Sequence, residues 1–127
     1  MKPVYLVIAH GSRDPSSNQA CEEFLKKFQI ANPDRRVEGS FLELAKPSVQ
    51  ETLEKCIRGG TKEIFILPLL LFPGRHAKED VPRFIQEIKA KNPDVDFHYG
   101  SPLNEHPLLV SLLDDQATQI TKRRTRQ

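Results

Sequence analysis

Four apolar, β-forming runs alternate along the chain with four segments whose apolar residues recur at helical spacing. The runs are 3–9 (PVYLVIA), 37–42 (VEGSFL), 63–72 (EIFILPLLLF) and 95–99 (VDFHY). The first and third are almost continuously apolar, the pattern of strands covered on both faces, which points to a parallel sheet. Of the helical segments, 17–31 carries Ala20, Phe24, Phe28 and Ala31 and is followed by Pro33. Ser16 or Ser17 is its predicted N-cap. Segment 47–58 places Pro47 at a first helical position, carries Val49, Leu53 and Ile57 on one face, and stops at Gly59-Gly60. Segment 77–91 has the stripe Val81, Phe84, Ile85 and Ile88, and segment 105–121 opens at Pro107 and aligns Leu109, Leu112, Leu113 and Ile120. The tripeptide NPD, at 32–34 and 92–94, closes a helix before a strand each time and predicts the same turn twice. Strand then helix, four times over with short connections, predicts an α/β fold: a four-stranded parallel sheet, right-handed crossovers, and helices on both faces.

In open parallel sheets ligands bind beyond the carboxyl ends of the strands. Here those ends carry His10-Gly11-Ser12-Arg13, Leu42-Glu43, Pro73-Gly74-Arg75-His76 and Tyr99-Gly100-Ser101. Each residue alone has an ordinary reading. His10 could be a capping or buried histidine, His76 a surface residue, and Glu43 the polar side of an edge strand. Together they bring two imidazoles and one carboxylate to one rim. Imidazole suits cobalt, iron, nickel and zinc, a carboxylate offsets charge, and a set without thiolate suits an ion that must be released again. Acid–base work fits the same groups.

The neighbours extend this picture. Gly11 and Gly74 let backbone approach a bulky ligand, and Phe72 with Pro73 offers apolar surface. Ser12 and Arg13, with Ser16 and Ser17, precede a helix start that attracts anions, and Arg75 and Lys78 add positive charge. A large flat ligand, apolar in the middle and carboxylated at its edge, would fit. His98 and His106 read as structural or surface residues.

Composition narrows the alternatives. A chain of 127 residues predicts one domain, 1–121, followed by a basic end at 122–127 read as a solvated tail. A formal net charge of +2 does not announce nucleic acid binding. Cys21 and Cys56 form no CxxC and fall in predicted helices, which argues against a disulfide framework and for a reducing cytoplasm. There is no membrane-spanning apolar run, no signal-peptide cleavage pattern, and no GxGxxG or GxxxxGK[ST] phosphate loop.

The segments "AHGSRDPSSN", "FLELAKPSV", "LPLLLFPGRHAKEDVP" and "GSPLNEHPLL" resemble the CbiX/SirB family of class II tetrapyrrole chelatases, from residue 4 to about residue 115. The resemblance implies a chelatase-like (flavodoxin-like) three-layer sandwich. It also implies insertion of Co²⁺ or Fe²⁺, with Ni²⁺ compatible, into sirohydrochlorin on the way to cobalamin or siroheme. The family's two catalytic histidines fall on His10 and His76 and its glutamate on Glu43, as catalytic and metal-holding groups. Ser12, Arg13, Phe72, Gly74 and Arg75 are then the candidate substrate contacts. No organic cofactor is implied, and a single-domain chain of this kind implies a homodimer. Two other readings remain: a metal or tetrapyrrole carrier of the same fold, and a hydrolase like the histidine phosphatases. The latter place a histidine after the first strand within Arg-His-Gly, where this chain has Ala9 in place of the arginine.

Overall fold

The computed structural model describes residues 2–125. Strands β1 (Val4–Ala9), β2 (Arg36–Phe41), β3 (Glu63–Leu69) and β4 (Asp96–Tyr99) form one sheet in the order β2-β1-β3-β4, with every neighbouring pair parallel. Helices α1 (Pro15–Ala31), α2 (Val49–Arg58), α3 (Arg75–Lys91) and α4 (Pro107–Thr125) alternate with them, and a 3₁₀ turn, Leu103–Glu105, precedes α4.

The chain moves from β1 outward to β2, crosses back over β1 to β3, and continues to β4. Right-handed crossovers therefore put α1 on one face and α2 and α3 on the other. The packing agrees. Val4, Leu6 and Ile8 of β1 join Ile64 and Ile66 of β3 in a core closed by Val49, Leu53 and Cys56 of α2 and by Val81 and Ile85 of α3. Leu6, Ile8, Leu53, Ile64, Ile66 and Ile85 are fully buried, each contributing roughly 1.5–3 kcal/mol relative to an exposed side chain. On the other face α1 lies over β2. Leu25 comes so close to Gly39 that a Cβ there would fall 2.5 Å from Leu25 Cδ1.

Local signals explain the boundaries, with corrections. The N-cap of α1 is Asp14, not Ser16 or Ser17: its carboxylate accepts from Ser16 N at 3.0 Å and Ser16 Oγ at 2.8 Å. The Ser16 hydroxyl first, then its backbone N–H, holds the Asp14 carboxyl below the usual range. Helix α2 begins at Val49, and Ser48 forms a capping box with Glu51, so Pro47 lies before the helix. Strand β3 ends at Leu69, short of the predicted 72; the next carbonyl, Leu70 O, accepts from Leu103 N at 2.9 Å. Helix α3 starts at Arg75 rather than 77, with Gly74 as its cap. The two NPD turns are alike. Asn32 and Asn92 have φ/ψ of −131/66 and −134/68, and each side chain donates to the carbonyl four residues back at 3.0 Å.

Two predicted apolar stripes do not pack as expected. In α1, Phe24 is 51% exposed and Ala20 and Ala31 are also exposed, because Leu25 is the residue that meets the opening above Gly39. In α4, Leu112, Leu113 and Ile120 are exposed at 54%, 64% and 60%. Among the described residues α4 is the last element and does not connect two strands of the sheet, unlike α1, α2 and α3. Lys122, Arg123 and Arg124 of the predicted tail lie in the last turn of α4, whereas Arg126 and Gln127 are outside the described residues. Both cysteines are free, Cys56 buried and Cys21 half-buried, and burial raises both thiol pKa values.

Candidate functional site

Pairing between β1 and β2 continues past the strand ends. Leu42 N donates to Ala9 O at 2.9 Å and Glu43 N to His10 O at 3.2 Å. That continuation brings two side chains together: His10 Nε2 lies 3.5 Å from Glu43 Oε1. The side chains are 60% and 58% exposed. An ion pair this exposed adds little to stability, so its geometry matters for chemistry rather than for holding the fold.

Three backbone features hold this pair. Gly11 has φ +93°, and a Cβ on it would sit 1.8 Å from the Glu43 carbonyl oxygen. Only glycine lets the two loops approach this closely. Leu44, next to Glu43, has φ +64°, a left-handed conformation that costs a side-chain-bearing residue of order 1 kcal/mol or more and clusters at functional sites. Asn18 clamps the His10 loop from α1: its Oδ1 accepts from Ser12 N at 3.0 Å and its Nδ2 donates to Ser12 O at 2.8 Å. The Ser12 hydroxyl in turn accepts from Asp14 N at 3.0 Å.

Asn18 and Leu44 were missed from sequence. An asparagine that can substitute for backbone partners beside a tight loop is a usable signal for Asn18; no residue type in "FLELAKP" marks Leu44. Asn18→Ala leaves two half-buried backbone groups unpaired and is expected to lower stability by about 1–2 kcal/mol in urea unfolding. Asn18→Asp, which keeps the acceptor, is expected to lose less.

The His10 ring is oriented by a contact of 3.1 Å between Nδ1 and Gly11 O. A carbonyl only accepts, so a ring that carries a proton on Nδ1 is held by this contact, with Nε2 on the Glu43 side.

His76 is exposed in the first turn of α3, whose N-cap, Gly74, makes no side-chain hydrogen bond. The free N–H groups of that turn carry the positive end of the helix dipole. Strands β1 and β3 are neighbours, but β1 leads to α1 on one face and β3 to α3 on the other. In α/β sheets ligands bind outside the carboxyl ends of strands that diverge in this way; His10 directly follows β1, and His76 lies in the first turn of the helix that follows β3. Among the described residues, however, no three histidine, cysteine or acidic side chains form a ready-made metal cluster. The structure pairs His10 with Glu43; His76 stands separately, in the first turn of α3.

The other predicted contacts are less uniform. Phe72 is 75% exposed and available to a ligand. Gly74 has an ordinary φ of −71°, and a Cβ there would meet nothing within 4 Å; the position is open, but backbone geometry does not require glycine. Arg75 Nε donates to Glu79 Oε1 at 3.0 Å on the helix surface, and Arg13 is exposed. A cavity of about 580 Å³ lies between α3 and the end of β4, with Leu70, Pro73, Ala77, Lys78, Tyr99 and Glu105 in its wall. It begins beside His76 and does not reach His10 or Glu43; burial raises the Tyr99 phenol pKa. His98 and His106 have structural roles. His98 Nε2 is 3.0 Å from Glu63 Oε2, and His106 Nδ1 accepts from Leu108 N at 3.1 Å.

Comparison with known proteins places these features in a group. The family model described as CbiX matches residues 4–120. A sirohydrochlorin ferrochelatase of Arabidopsis thaliana chloroplasts is 32% identical over 87% of this chain and 49% of its own length. A sirohydrochlorin cobaltochelatase of Methanococcoides burtonii is 28% identical over 91% of this chain and 94% of its own. The solved structure of SirB from Bacillus subtilis with Fe³⁺ matches with a TM-score of 0.72 and 35% identity, over 80% of this chain and 40% of that one. The chain spans less than half the length of several of these curated relatives.

Proposed function

This chain belongs to the CbiX family, and from that premise we propose that it inserts a divalent metal ion, cobalt or iron, into sirohydrochlorin. The observation that carries the reading is the His10–Glu43 pair at 3.5 Å, at the carboxyl ends of β1 and β2, with His76 in the first turn after β3. Insertion must strip water from the ion and remove two pyrrole N–H protons. Neutral imidazoles can hold the ion or accept those protons. Glu43 beside His10 offsets the charge that develops when Nε2 takes either.

Three protein ligands are not needed in this scheme, because the macrocycle nitrogens replace protein donors as the ion transfers. An open, two-sided arrangement also suits an ion that must leave. The macrocycle is read as lying over the carboxyl ends of the strands, with Phe72 against its apolar part. The N-terminal turn of α3, with Ser12 and Arg13 near the start of α1, faces its carboxylates. Contacts to those remote carboxylates can offset the cost of bending the ring towards the metal.

The same reading takes 1–121 as the catalytic unit, two copies as the working assembly, no organic cofactor, and a reducing cytoplasm, in keeping with two free cysteines. The test is direct. Purified protein is mixed anaerobically with sirohydrochlorin and Co²⁺, Fe²⁺ or Ni²⁺ in parallel, and metallation is followed by absorbance. Turnover above the uncatalysed rate with cobalt or iron is expected. Cobalt binding without the metallated spectrum would identify a carrier and overturn the proposal.

A further inference from the structure

One peptide group, between Gly11 and Ser12, links α1 to the His10 ring. Its carbonyl oxygen, Gly11 O, lies 3.1 Å from His10 Nδ1. Its N–H, on Ser12, donates to Asn18 Oδ1 at 3.0 Å. A trans peptide group is planar, with N–H and C=O pointing opposite ways. A bond that fixes the N–H therefore fixes the carbonyl too. Asn18 Nδ2 also donates to the next carbonyl, Ser12 O, at 2.8 Å. Turning the amide over would set donor against donor and acceptor against acceptor, so the bond to Ser12 N is the one this network allows.

This peptide needs an outside restraint. Gly11 has φ +93°, and glycine leaves the rotation that turns the plane less restrained than any other residue would. Asn18 stands on a firm base, near the start of α1, where the N-cap Asp14 binds both Ser16 N and Ser16 Oγ. The exposed His10 ring has little packing to hold it. Gly11 O at one nitrogen and Glu43 at the other set its direction.

We propose that Asn18 is a positioning residue for His10: through the Gly11–Ser12 peptide it aims a carbonyl at Nδ1, selects the Nδ1–H form of the neutral ring, and leaves the Nε2 lone pair to take an ion or a proton. Only the catalytic consequence rests on the function proposed above. Outer partners of a metal-holding histidine commonly change affinity or activity 10–100-fold.

Gln29, near the other end of α1, is the matched control. Its Nε2 donates to Asn32 O at 3.1 Å and Arg35 O at 2.6 Å, and its Oε1 accepts from Val37 N at 3.0 Å. It too is an amide clamping a loop, but its loop is not the one that carries His10. Gln29→Ala reports what loss of such a clamp does by itself.

The full chain is labelled with ¹⁵N-histidine, and ring nitrogen shifts are recorded in alkaline buffer, where imidazoles are neutral. The His10 signals, among four histidines, are those lost in His10→Ala. The parent and Gln29→Ala are expected to show His10 mainly as Nδ1–H. Asn18→Ala should move it towards Nε2–H and slow cobalt insertion about 10–100-fold relative to Gln29→Ala. Asn18→Asp, which keeps the acceptor for Ser12 N, should hold the Nδ1–H form even if the alanine variant does not fold. A parent ring in the Nε2–H form, an Asn18→Ala ring unchanged from the parent, or an Asn18→Asp ring moved to Nε2–H would overturn the positioning role. So would equal insertion rates in Asn18→Ala and Gln29→Ala. A parent that inserts no metal would overturn the chelatase reading instead, and the ring signals would still decide whether Asn18 sets His10.

Discussion

His10→Ala and His76→Ala are each expected to slow metal insertion by about 10²–10⁴-fold, the range that a positioned proton-transfer group supplies, with the fold intact. Both residues are exposed. Removing His10 gives up one ion pair of 3.5 Å between half-exposed side chains. At His76 alanine suits a helix first turn. Stability should therefore change by no more than about 0.5 kcal/mol in either variant. The two losses should differ in kind. If one histidine delivers the ion and the other takes a proton, raising the metal concentration should partly rescue one variant and not the other. Glu43→Gln keeps the shape and removes the charge beside Nε2, so it should slow insertion less than His10→Ala. The measurements are the absorbance assay with cobalt and a thermal melt of each variant. A double histidine variant that metallates sirohydrochlorin at the parent rate would show that neither imidazole takes part.

Gly11→Ala should be the most damaging single methyl in the site. The new Cβ would lie 1.8 Å from a backbone oxygen, Glu43 O, and 3.0 Å from Glu43 C, and neither is a side-chain tip that can swing away. The φ of +93° adds strain that no alanine relieves. Strain of this kind together with a backbone clash costs about 2–4 kcal/mol. Relief can come only by moving the His10 loop away from the Glu43 loop, so activity should fall with stability. Gly74→Ala is the matched control. With φ −71° and no atom within 4 Å of the added methyl, it should lose no more than the roughly 0.5–1 kcal/mol by which alanine is a poorer N-cap than glycine, partly offset because alanine narrows the unfolded ensemble. Urea midpoints of the two variants give the comparison. Equal midpoints would mean that the close approach at Gly11 is not needed.

The apolar runs and the helical stripes between them marked all four strands and all four helices to within a few residues, because burial on both faces leaves a continuous mark on a parallel strand. The rim was legible for a related reason. Once strands are known to be parallel, their carboxyl ends lie on one side, and His10, Glu43 and His76 were read from position in the chain. The turns at Asn32 and Asn92 were legible too, being made by local backbone and side-chain bonds.

Other features depended on distances between segments far apart in the chain. The spacing of α1 allowed several faces, and the groove above Gly39 chose the one with Leu25. The stripe on α4 showed that an apolar surface exists, not which surface covers it. Asn18, Leu44 and the need for glycine at position 11 all arise from one approach, that of the loop after β1 to the loop after β2. The strand order β2-β1-β3-β4 decided that His10 stands next to Glu43. What the chain by itself determined is the set of elements and the residues at their ends, since hydrophobic period and turn chemistry act locally. Which of those residues meet was decided only by the tertiary structure, because crossover handedness and side-chain volumes settle the order of strands and the spacing of loops, and neither is written in any one segment.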